Sequence, residues 1–475
     1  MKHTYHAAAI DLGASGGRII LGEYDGTSLE FTDEYRMGNS FINWNGSLYW
    51  DVLRLYQDII RGFRYYHKKG IAIDSVGINT WGVDFVLLDR DGQPAAFPRC
   101  YRDSRNYQAY GAVSEILKPR DFYELTGIMP DAINSVYQLY AASGCAAWKN
   151  VDTFLFMPDF FCYLMTGTMA TETSVASTSQ LLDRRTGEFH RGILARLGLD
   201  GLRLPEILKK PMVRGVFHSS FSEQTGYGQV RVMNINSHDT GSAISLAESL
   251  PEGELLMNCG TIAILSSIRE QPFVSEESYQ CGITNESVLG GRFRPAVNLS
   301  GLFFINQCRD WWRLEGKEYS WTDITDLAAR SEAYLGRIDI TDPELLKGGN
   351  MPRLIREQCR NRGVHIPRDD GETARMVYET IAEAFAESIR KYERAAGHSY
   401  SRLNLVGGGS KNRLLSQMIA DASGKPVRTG PQEATAMGNV LTQLEGAGEL
   451  NHEESLEIMR KTFSGEVLEP QIRKK

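Results

Sequence analysis

Ala8–Ile20 reads AAIDLGASGGRII, and Leu255–Ile268 reads LLMNCGTIAILSSI. In the first stretch, Ala7–Ile10 and Arg18–Tyr24 are apolar, β-prone runs on either side of a turn of small residues. That is the pattern of two strands joined by a tight loop, with glycine supplying the backbone freedom the turn needs. The second stretch repeats the plan with a shorter turn, Asn258-Cys259-Gly260-Thr261. Each is followed by more β-like sequence and later by a long helical pattern. The pair therefore suggests a duplicated α/β domain, residues 1–244 and 245–475, although chance recurrence of a common hairpin fits the likeness equally well.

The intervening sequence alternates in the same way. Trp50–Tyr66 places Trp50, Leu53, Tyr56, Ile60 and Phe63 on one helical face, and Asp74–Ile78 and Val83–Leu88 read as strands around Asn79-Thr80-Trp81-Gly82. Late in the chain, Thr373–Ala396 has Met376, Val377, Ile381, Phe385, Ile389 and Tyr392 in helical phase. It leads to a strand, Leu403–Val406, a turn, Gly407–Lys411, and a helix carrying Leu414, Leu415, Met418 and Ile419. Interleaved strands and helices imply α/β layers.

A length of 475 residues gives a prior of two or three domains, and 42% hydrophobic with 23% charged residues is an ordinary globular mixture. With 52 basic against 59 acidic residues, net −7, the chain has no basic surplus for a nucleic-acid surface. A small anion is still admissible, because backbone amides can hold one. The seven cysteines are odd in number, scattered and never in a CxxC pair, which fits reduced thiols and neither a disulfide frame nor a zinc site. The apolar stretch in MKHTYHAAAIDLG is too short for a signal peptide, and no run approaches a membrane span. The expected protein is soluble and cytoplasmic, without nucleic-acid or membrane partners, a monomer or homodimer.

Four segments could carry chemistry. Asp11–Arg18 combines a strand-end acid with a small-residue turn whose amides and Ser15 hydroxyl suit a phosphate, or simply form a capped hairpin. Asn258-Cys259-Gly260-Thr261 offers the same two readings. Gly407-Gly408-Gly409 precedes a helix and lets a flat ligand lie against backbone, but Asn412 stands where a dinucleotide fingerprint needs glycine, and no P-loop occurs. In Ser237-His238-Asp239-Thr240-Gly241, Asp239 sits at a strand-to-helix turn, as a functional acid or as an N-cap. Trp81-Gly82-Val83-Asp84 and Tyr101-Arg102-Asp103-Ser104-Arg105 add the aromatic, acidic and guanidinium groups of a polyol cleft. The histidines form no HxH or HExxH pattern that would hold a metal.

Three glycine-rich turns across both halves, with an isolated acid between them, suit nucleotide phosphates gripped by two domains. In DLGASGGR (11–18), SVGINTWGVDFVLLD (75–89), YRDSR (101–105), MPDFFCYLMTG (157–167), SHDT (237–240), ITNE (283–286) and LVGGGSKN (405–412), the sequence strongly resembles the FGGY carbohydrate kinases of the actin-like ATPase superfamily. The resemblance covers nearly the whole chain. It implies an α/β fold of two duplicated actin-like ATPase (ribonuclease H-like) domains with an ATP/sugar cleft between them. The implied reaction is phosphoryl transfer from ATP, with Mg2+, to a small-molecule ketose. The TWGVDFVLLD and YRDSR pair points to L-rhamnulose as acceptor over glycerol or xylulose, with another ketose or polyol, such as fuculose, xylulose or glycerol, as the alternative substrate. Less expected alternatives are a non-catalytic actin-like ATPase or a sugar-responsive regulator.

Carried over by position, the resemblance makes Ala14, Ser15, Gly16, Gly17 and Arg18 the first phosphate loop. Asp11 becomes the Mg2+-associated acid, acting through water. Thr261, Asn298, Asn306 and Gly408 become nucleotide contacts, and Gly82, His238, Asp239 and Thr240 sugar contacts, with Asp239 the catalytic base. Four features depart from the family pattern. Asn79 replaces the Asp of DTWG; Ile262-Ala263 replaces Trp-Ser; Asn306, beside Gln307, stands where Gln is frequent; and Met418 and Ala422 replace a cysteine pair.

Overall fold

A computed structural model describes residues 4–471. The chain forms two compact units. The first comprises the chain up to Ser249 together with Ile268–Pro295 and Ala434–Met459, and the second Leu250–Ser267, Ala296–Glu433 and the chain from Arg460 onward.

In the first unit the opening hairpin is Tyr5–Gly13 with Gly16–Tyr24, paired in register from Tyr5↔Tyr24 to Gly13↔Gly16 around the turn Ala14-Ser15. Six strands form its sheet, in the order Met212–Val216, Arg231–Asn234, Ser75–Thr80, Tyr5–Gly13, Gly16–Tyr24, Leu29–Gly38. Arg231–Asn234, Ser75–Thr80 and Tyr5–Gly13 are parallel, and the remaining pairs are antiparallel. The second sheet has seven strands, in the order Val467–Leu468, Val427–Thr429, Arg402–Val406, Glu254–Cys259, Ile262–Ser266, Arg292–Ser300, Thr284–Val288, the first six corresponding in turn to those of the first sheet. There too three consecutive strands are parallel and the flanking pairs antiparallel. The same order of strand senses about the same central hairpin is the duplication the two glycine turns announce, and chance recurrence of a hairpin does not produce it.

The central strands are buried on both faces, as parallel strands are. Ala8, Ile10 and Leu12 join one core with Ile19, Leu21, Val76, Ile78, Leu55, Ile59, Phe63, Phe160 and Phe161. Behind the sheet lies the helix Ala434–Ala447, close enough that a Cβ on Gly77 would stand 2.5 Å from Asn439 Oδ1. A second core gathers Phe85, Phe122, Tyr137, Phe154, Phe156, Val175 and Leu181.

Element bounds shift from the sequence reading for local reasons. The first helix is Val52–Lys68, started by Asp51, whose carboxylate accepts from the amide of Arg54. Trp50 therefore ends the preceding strand Ser47–Trp50 and is buried, whereas Leu53 is 65% exposed. The long helix is Asp370–Ala396, capped by Asp369 and closed by Gly397 at φ 73°. Asn412 caps the helix Arg413–Ser423 through the amide of Leu415, which is the positive reason for asparagine rather than glycine at that position.

Asn79 belongs to a buried polar ladder. Ser75 Oγ donates to Gln443 Oε1 at 2.6 Å, Gln443 Nε2 to Asn439 Oδ1 at 2.6 Å, and Asn439 Nδ2 to Asn79 Oδ1 at 2.7 Å. Asn79 Nδ2 then donates to the carbonyl of Asn236 at 2.6 Å. The position needs a side chain that both accepts and donates, which an ionised carboxylate cannot do. Asn79→Asp is expected to lose about 1–3 kcal/mol, the cost of facing a carboxylate to a buried carbonyl. Urea unfolding of the two proteins measures it; equal midpoints and slopes would remove the ladder as a stabilising feature.

Candidate functional site

In open α/β sheets, loops at the carboxyl ends of parallel strands are free to face a ligand while the strands are fixed by pairing. In the first unit, Tyr5–Gly13, Ser75–Thr80 and Arg231–Asn234 run the same way and end in Gly13–Gly16, Trp81–Asp84 and Asn236–Thr240. The backbone amide of Thr80 donates to the carbonyl of Ser237 at 3.0 Å, so pairing continues beyond the strand Arg231–Asn234 into the loop. Gly82 and His238 thereby meet: a Cβ on Gly82 would lie 3.2 Å from His238 Nε2 and 3.0 Å from Thr178 Cγ2. A side chain at 82 would crowd the imidazole and Thr178, so glycine is what lets the two loops meet.

Val83, next in line, has φ 66°, an unfavourable conformation for a β-branched residue. Three groups hold it: Thr178 Oγ1 accepts from its amide at 2.9 Å, and Ser135 Oγ and Gln138 Nε2 donate to its carbonyl at 2.5 and 3.2 Å. Asp84, fully buried, accepts at Oδ2 from the indole N–H of Trp50 (2.5 Å) and of Trp81 (2.9 Å) and from the amide of Tyr101 (3.2 Å). Trp50 and Trp81 lie with ring centroids 4.2 Å apart. Burial raises the Asp84 carboxyl from 3.8 to about 6, against the pull of these donors. Phe85, in contrast, turns to the other core and packs on Phe154.

Asp239 opens the helix Asp239–Ser245. Its Oδ1 accepts from the Thr240 amide at 2.5 Å and from Thr240 Oγ1 at 3.0 Å. Oδ1 also lies 3.5 Å from His238 Nε2. No hydrogen bond to Asp239 Oδ2 is present among the described residues, and the side chain is 30% exposed. One oxygen is thus fixed and the other open. The N-cap position falls on His238, so Asp239 is the first helical residue and not the cap.

Two acids that residue spacing did not single out organise this loop. Glu172 is buried; its Oε2 accepts from the amide (3.0 Å) and hydroxyl (2.7 Å) of Ser237 and from Ser174 Oγ (2.5 Å). Ser174 Oγ in turn accepts from the His238 amide at 3.2 Å. Burial raises the Glu172 carboxyl despite these donors. Glu286 meets His238 Nδ1 at 2.8 Å and is paired with Arg294. Glu172 carries no sequence signal of its own; Glu286 closes the ITNE stretch.

Asp11 and Arg18 face each other across the hairpin, with Arg18 Nε and Nη2 each 3.3 Å from Asp11 Oδ2. Ser15 is exposed at the turn tip, and Ala14, Gly16 and Gly17 are half-buried. A single carboxylate beside a turn of amides fits a Mg2+ that arrives on phosphate oxygens and keeps its waters. No group of three or more His, Cys, Asp or Glu side chains suited to a resident metal exists among the described residues.

In the second unit, Glu254–Cys259 and Arg402–Val406 are parallel and end in the turns Gly260-Thr261 and Gly407–Lys411. These turns touch: a Cβ on Gly409 would lie 2.4 Å from Cys259 Sγ, and one on Gly407, at φ 79°, 2.5 Å from Asn258 Oδ1. Gly408 has no such neighbour and is exposed. Two of the three glycines thus serve packing, and the middle one gives the open face. Asn306 Nδ2 donates to Thr261 Oγ1 at 3.2 Å, which brings those two together. Asn298 stands exposed opposite Ile264 and makes no side-chain hydrogen bond to them among the described residues. Ile262, replacing a larger Trp, is 62% exposed.

None of the seven cysteines is in a disulfide, and no helix among the described residues is long and apolar enough to cross a membrane. The family models for the N-terminal and C-terminal domains of the FGGY family of carbohydrate kinases match residues 6–244 and 255–446. A rhamnulokinase of Bacteroides thetaiotaomicron is 32% identical over 451 residues, 94% of this chain and 92% of the relative. One of Halalkalibacterium halodurans is 32% identical over 458 residues, 96% of each chain. Among solved structures, a gluconate kinase from Lactobacillus acidophilus superposes with TM-score 0.81 at 15% identity, covering 99% of this chain and 94% of that one. Plasmodium falciparum glycerol kinase with ADP gives 0.81 at 15% identity, covering 99% and 95%. These last two likenesses establish a shared fold.

Two outcomes test the site's architecture. Gly409→Ala is expected to lose about 1–3 kcal/mol by overpacking against Cys259, whereas Gly408→Ala stays within about 0.5 kcal/mol of the parent; thermal melts that rank them the other way would refute the packing role. For Asp84, the folded carboxyl holds its proton up to about pH 6 and the unfolded one only to 3.8. Its contribution to stability is therefore full below pH 4, falls as pH rises through about 6, and is constant above. The stability of the parent relative to Asp84→Asn should decline across that window; a pH-independent difference would show that burial does not raise Asp84.

Proposed function

The chain belongs to the FGGY family of carbohydrate kinases, and we propose that within this family its acceptor is L-rhamnulose, phosphorylated at C1 by ATP to give L-rhamnulose 1-phosphate and ADP. The reading is supported by relatives named rhamnulokinase that align over nearly the full chain, and by the TWGVDFVLLD and YRDSR segments. The observation that carries the chemistry is the asymmetry of Asp239: Thr240 holds Oδ1, and Oδ2 has no partner among the described residues.

In this reaction Asp239 Oδ2 takes the proton of the C1 hydroxyl as the oxygen attacks the γ-phosphorus in line. The bond from that phosphorus to the bridging oxygen of ATP breaks, and ADP leaves. An aspartate is a weak base, with an ordinary pKa of about 3.9. A loose phosphoryl-transfer transition state tolerates that, because the hydroxyl sheds its proton late. Positioning and charge stabilisation do most of the work. Gly82 and the His238 ring seat the hydroxyls. The amides of Ala14–Arg18 take phosphate oxygens. Thr261, Asn298, Asn306 and Gly408 take the nucleotide. This assigns sugar and first phosphate loop to residues 1–244 and nucleotide binding to residues 245–475. Asp11 would hold Mg2+ through water, and the ion, when bound, neutralises charge on the phosphate oxygens. Seven cysteines outside any disulfide, five of them buried, suit a reducing cytoplasm.

An ADP-release assay across L-rhamnulose, L-fuculose, D-xylulose and glycerol tests the acceptor. L-Rhamnulose is expected to give the highest kcat/KM, and a higher value for any other would displace it. Asp239→Asn is expected to lower kcat by about 10²–10⁴-fold, the range of general-base catalysis, with ATP affinity retained. Transfer at an appreciable fraction of the parent rate would remove Asp239 as the base.

A further inference from the structure

His238 Nδ1 lies 2.8 Å from Glu286 Oε2, and Arg294 Nη2 donates to the same carboxylate oxygen. Glu286 and Arg294 stand on the neighbouring strands Thr284–Val288 and Arg292–Ser300, and both residues belong to the first unit. Arg294 is 1% exposed, and its Nε and Nη1 have no hydrogen-bond partner among the described residues. Glu286 is therefore the counter-charge that makes a buried guanidinium tolerable. Burial pushes the Glu286 carboxyl up, but the Arg294 charge and the His238 ring outweigh it and hold it at about 2.

An ionised carboxylate only accepts hydrogen bonds. At 2.8 Å it requires a proton on His238 Nδ1, since two acceptors at that distance repel. Arg294 Nη2 is also 3.4 Å from Nδ1, but both are then donors, and they share Glu286 Oε2 between them. In the neutral ring the remaining lone pair is on Nε2. That atom is the one beside Gly82, and it lies 3.5 Å from Asp239 Oδ1.

We propose that Glu286, anchored by Arg294, is a positioning residue that fixes His238 as the Nδ1–H tautomer and so presents Nε2 as the acceptor for a sugar hydroxyl at Gly82. The sugar assignment rests on the acceptor site described above; the tautomer does not. A ring nitrogen that accepts selects a hydroxyl in one orientation, with its proton aimed at the imidazole, and leaves that oxygen's lone pairs free for other donors. Glu286 thus acts on acceptor binding through His238 without touching the acceptor.

The test is Glu286→Leu, which removes the shared acceptor and leaves Nδ1 facing the Arg294 Nη2 donor at 3.4 Å, so that Nδ1 accepts and the ring proton moves to Nε2. In 15N-histidine-labelled protein, with the His238 signals assigned by their loss in His238→Gln, the parent should show a protonated Nδ1 and an unprotonated Nε2, and Glu286→Leu the reverse. In steady-state assays Glu286→Leu should raise the KM for the ketose at least tenfold, with the KM for ATP changed less than twofold. Glu286→Gln, whose amide oxygen can take the place of Oε2 and accept from both Nδ1 and Nη2, should keep the parent tautomer and most of the ketose affinity. A parent ring protonated at Nε2 alone, or a reversed tautomer with an unmoved ketose KM, overturns the proposal. The NMR arm needs no substrate, so it decides the tautomer even where every ketose fails as an acceptor.

Discussion

One backbone hydrogen bond, from the amide of Thr80 to the carbonyl of Ser237 at 3.0 Å, fixes the geometry on which the proposed acceptor site depends. It extends the parallel pairing of Ser75–Thr80 and Arg231–Asn234 past the end of the second strand. Without it Trp81–Asp84 and Ser237–Thr240 would be two independent loops. With it, Gly82 and His238 are set within contact distance by sheet register, which is stiffer than any loop–loop contact. The bond survives because both its neighbours are held: Asn79 grips the carbonyl of Asn236, and Glu172 grips the amide and hydroxyl of Ser237.

Around this rung the protein concentrates features that cost stability. Val83 has positive φ, Asp84 and Glu172 are carboxyls raised by burial, and Arg294 is a buried guanidinium with one carboxylate partner. Each has a definite compensating set: Thr178, Ser135 and Gln138 for Val83, two indoles for Asp84, two serines for Glu172, Glu286 for Arg294. A region built only to fold has no need of such pairings. Their convergence on Gly82, His238 and Asp239 is a physical sign of function independent of any relative.

The second unit reuses the plan with different chemistry. The same order of strand senses places two turns at the carboxyl ends of parallel strands. There, however, the turns carry glycines and Thr261, reached by Asn306 from the helix Phe303–Leu314, rather than acids. Duplication of a sheet supplies positions, and the residues at those positions decide what is bound.

Much of this was legible in the sequence. The hairpin at Asp11–Arg18, its repeat at Asn258–Thr261 and the glycines at 407–409 are local patterns, because turn chemistry and strand propensity act over a few residues. Asp239 was readable as a helix-terminal acid for the same reason. The departure at Asn79 was visible but not its meaning, since Asn236 and Asn439 are distant along the chain. Glu172 was silent as well: nothing within a few residues of it distinguishes a buried, site-shaping carboxylate from a solvated one, and Glu286, though it closes the ITNE stretch, gives no local sign of its pairing with His238 and Arg294. The sequence by itself determined the α/β class, the repeated hairpin and the residue types at each turn, because these follow from short-range sterics and periodicity. Only the tertiary structure decided which glycine of three lies open, which oxygen of Asp239 is unbound and which nitrogen of His238 faces Gly82, because each depends on long-range partners that pairing in the sheet brings together.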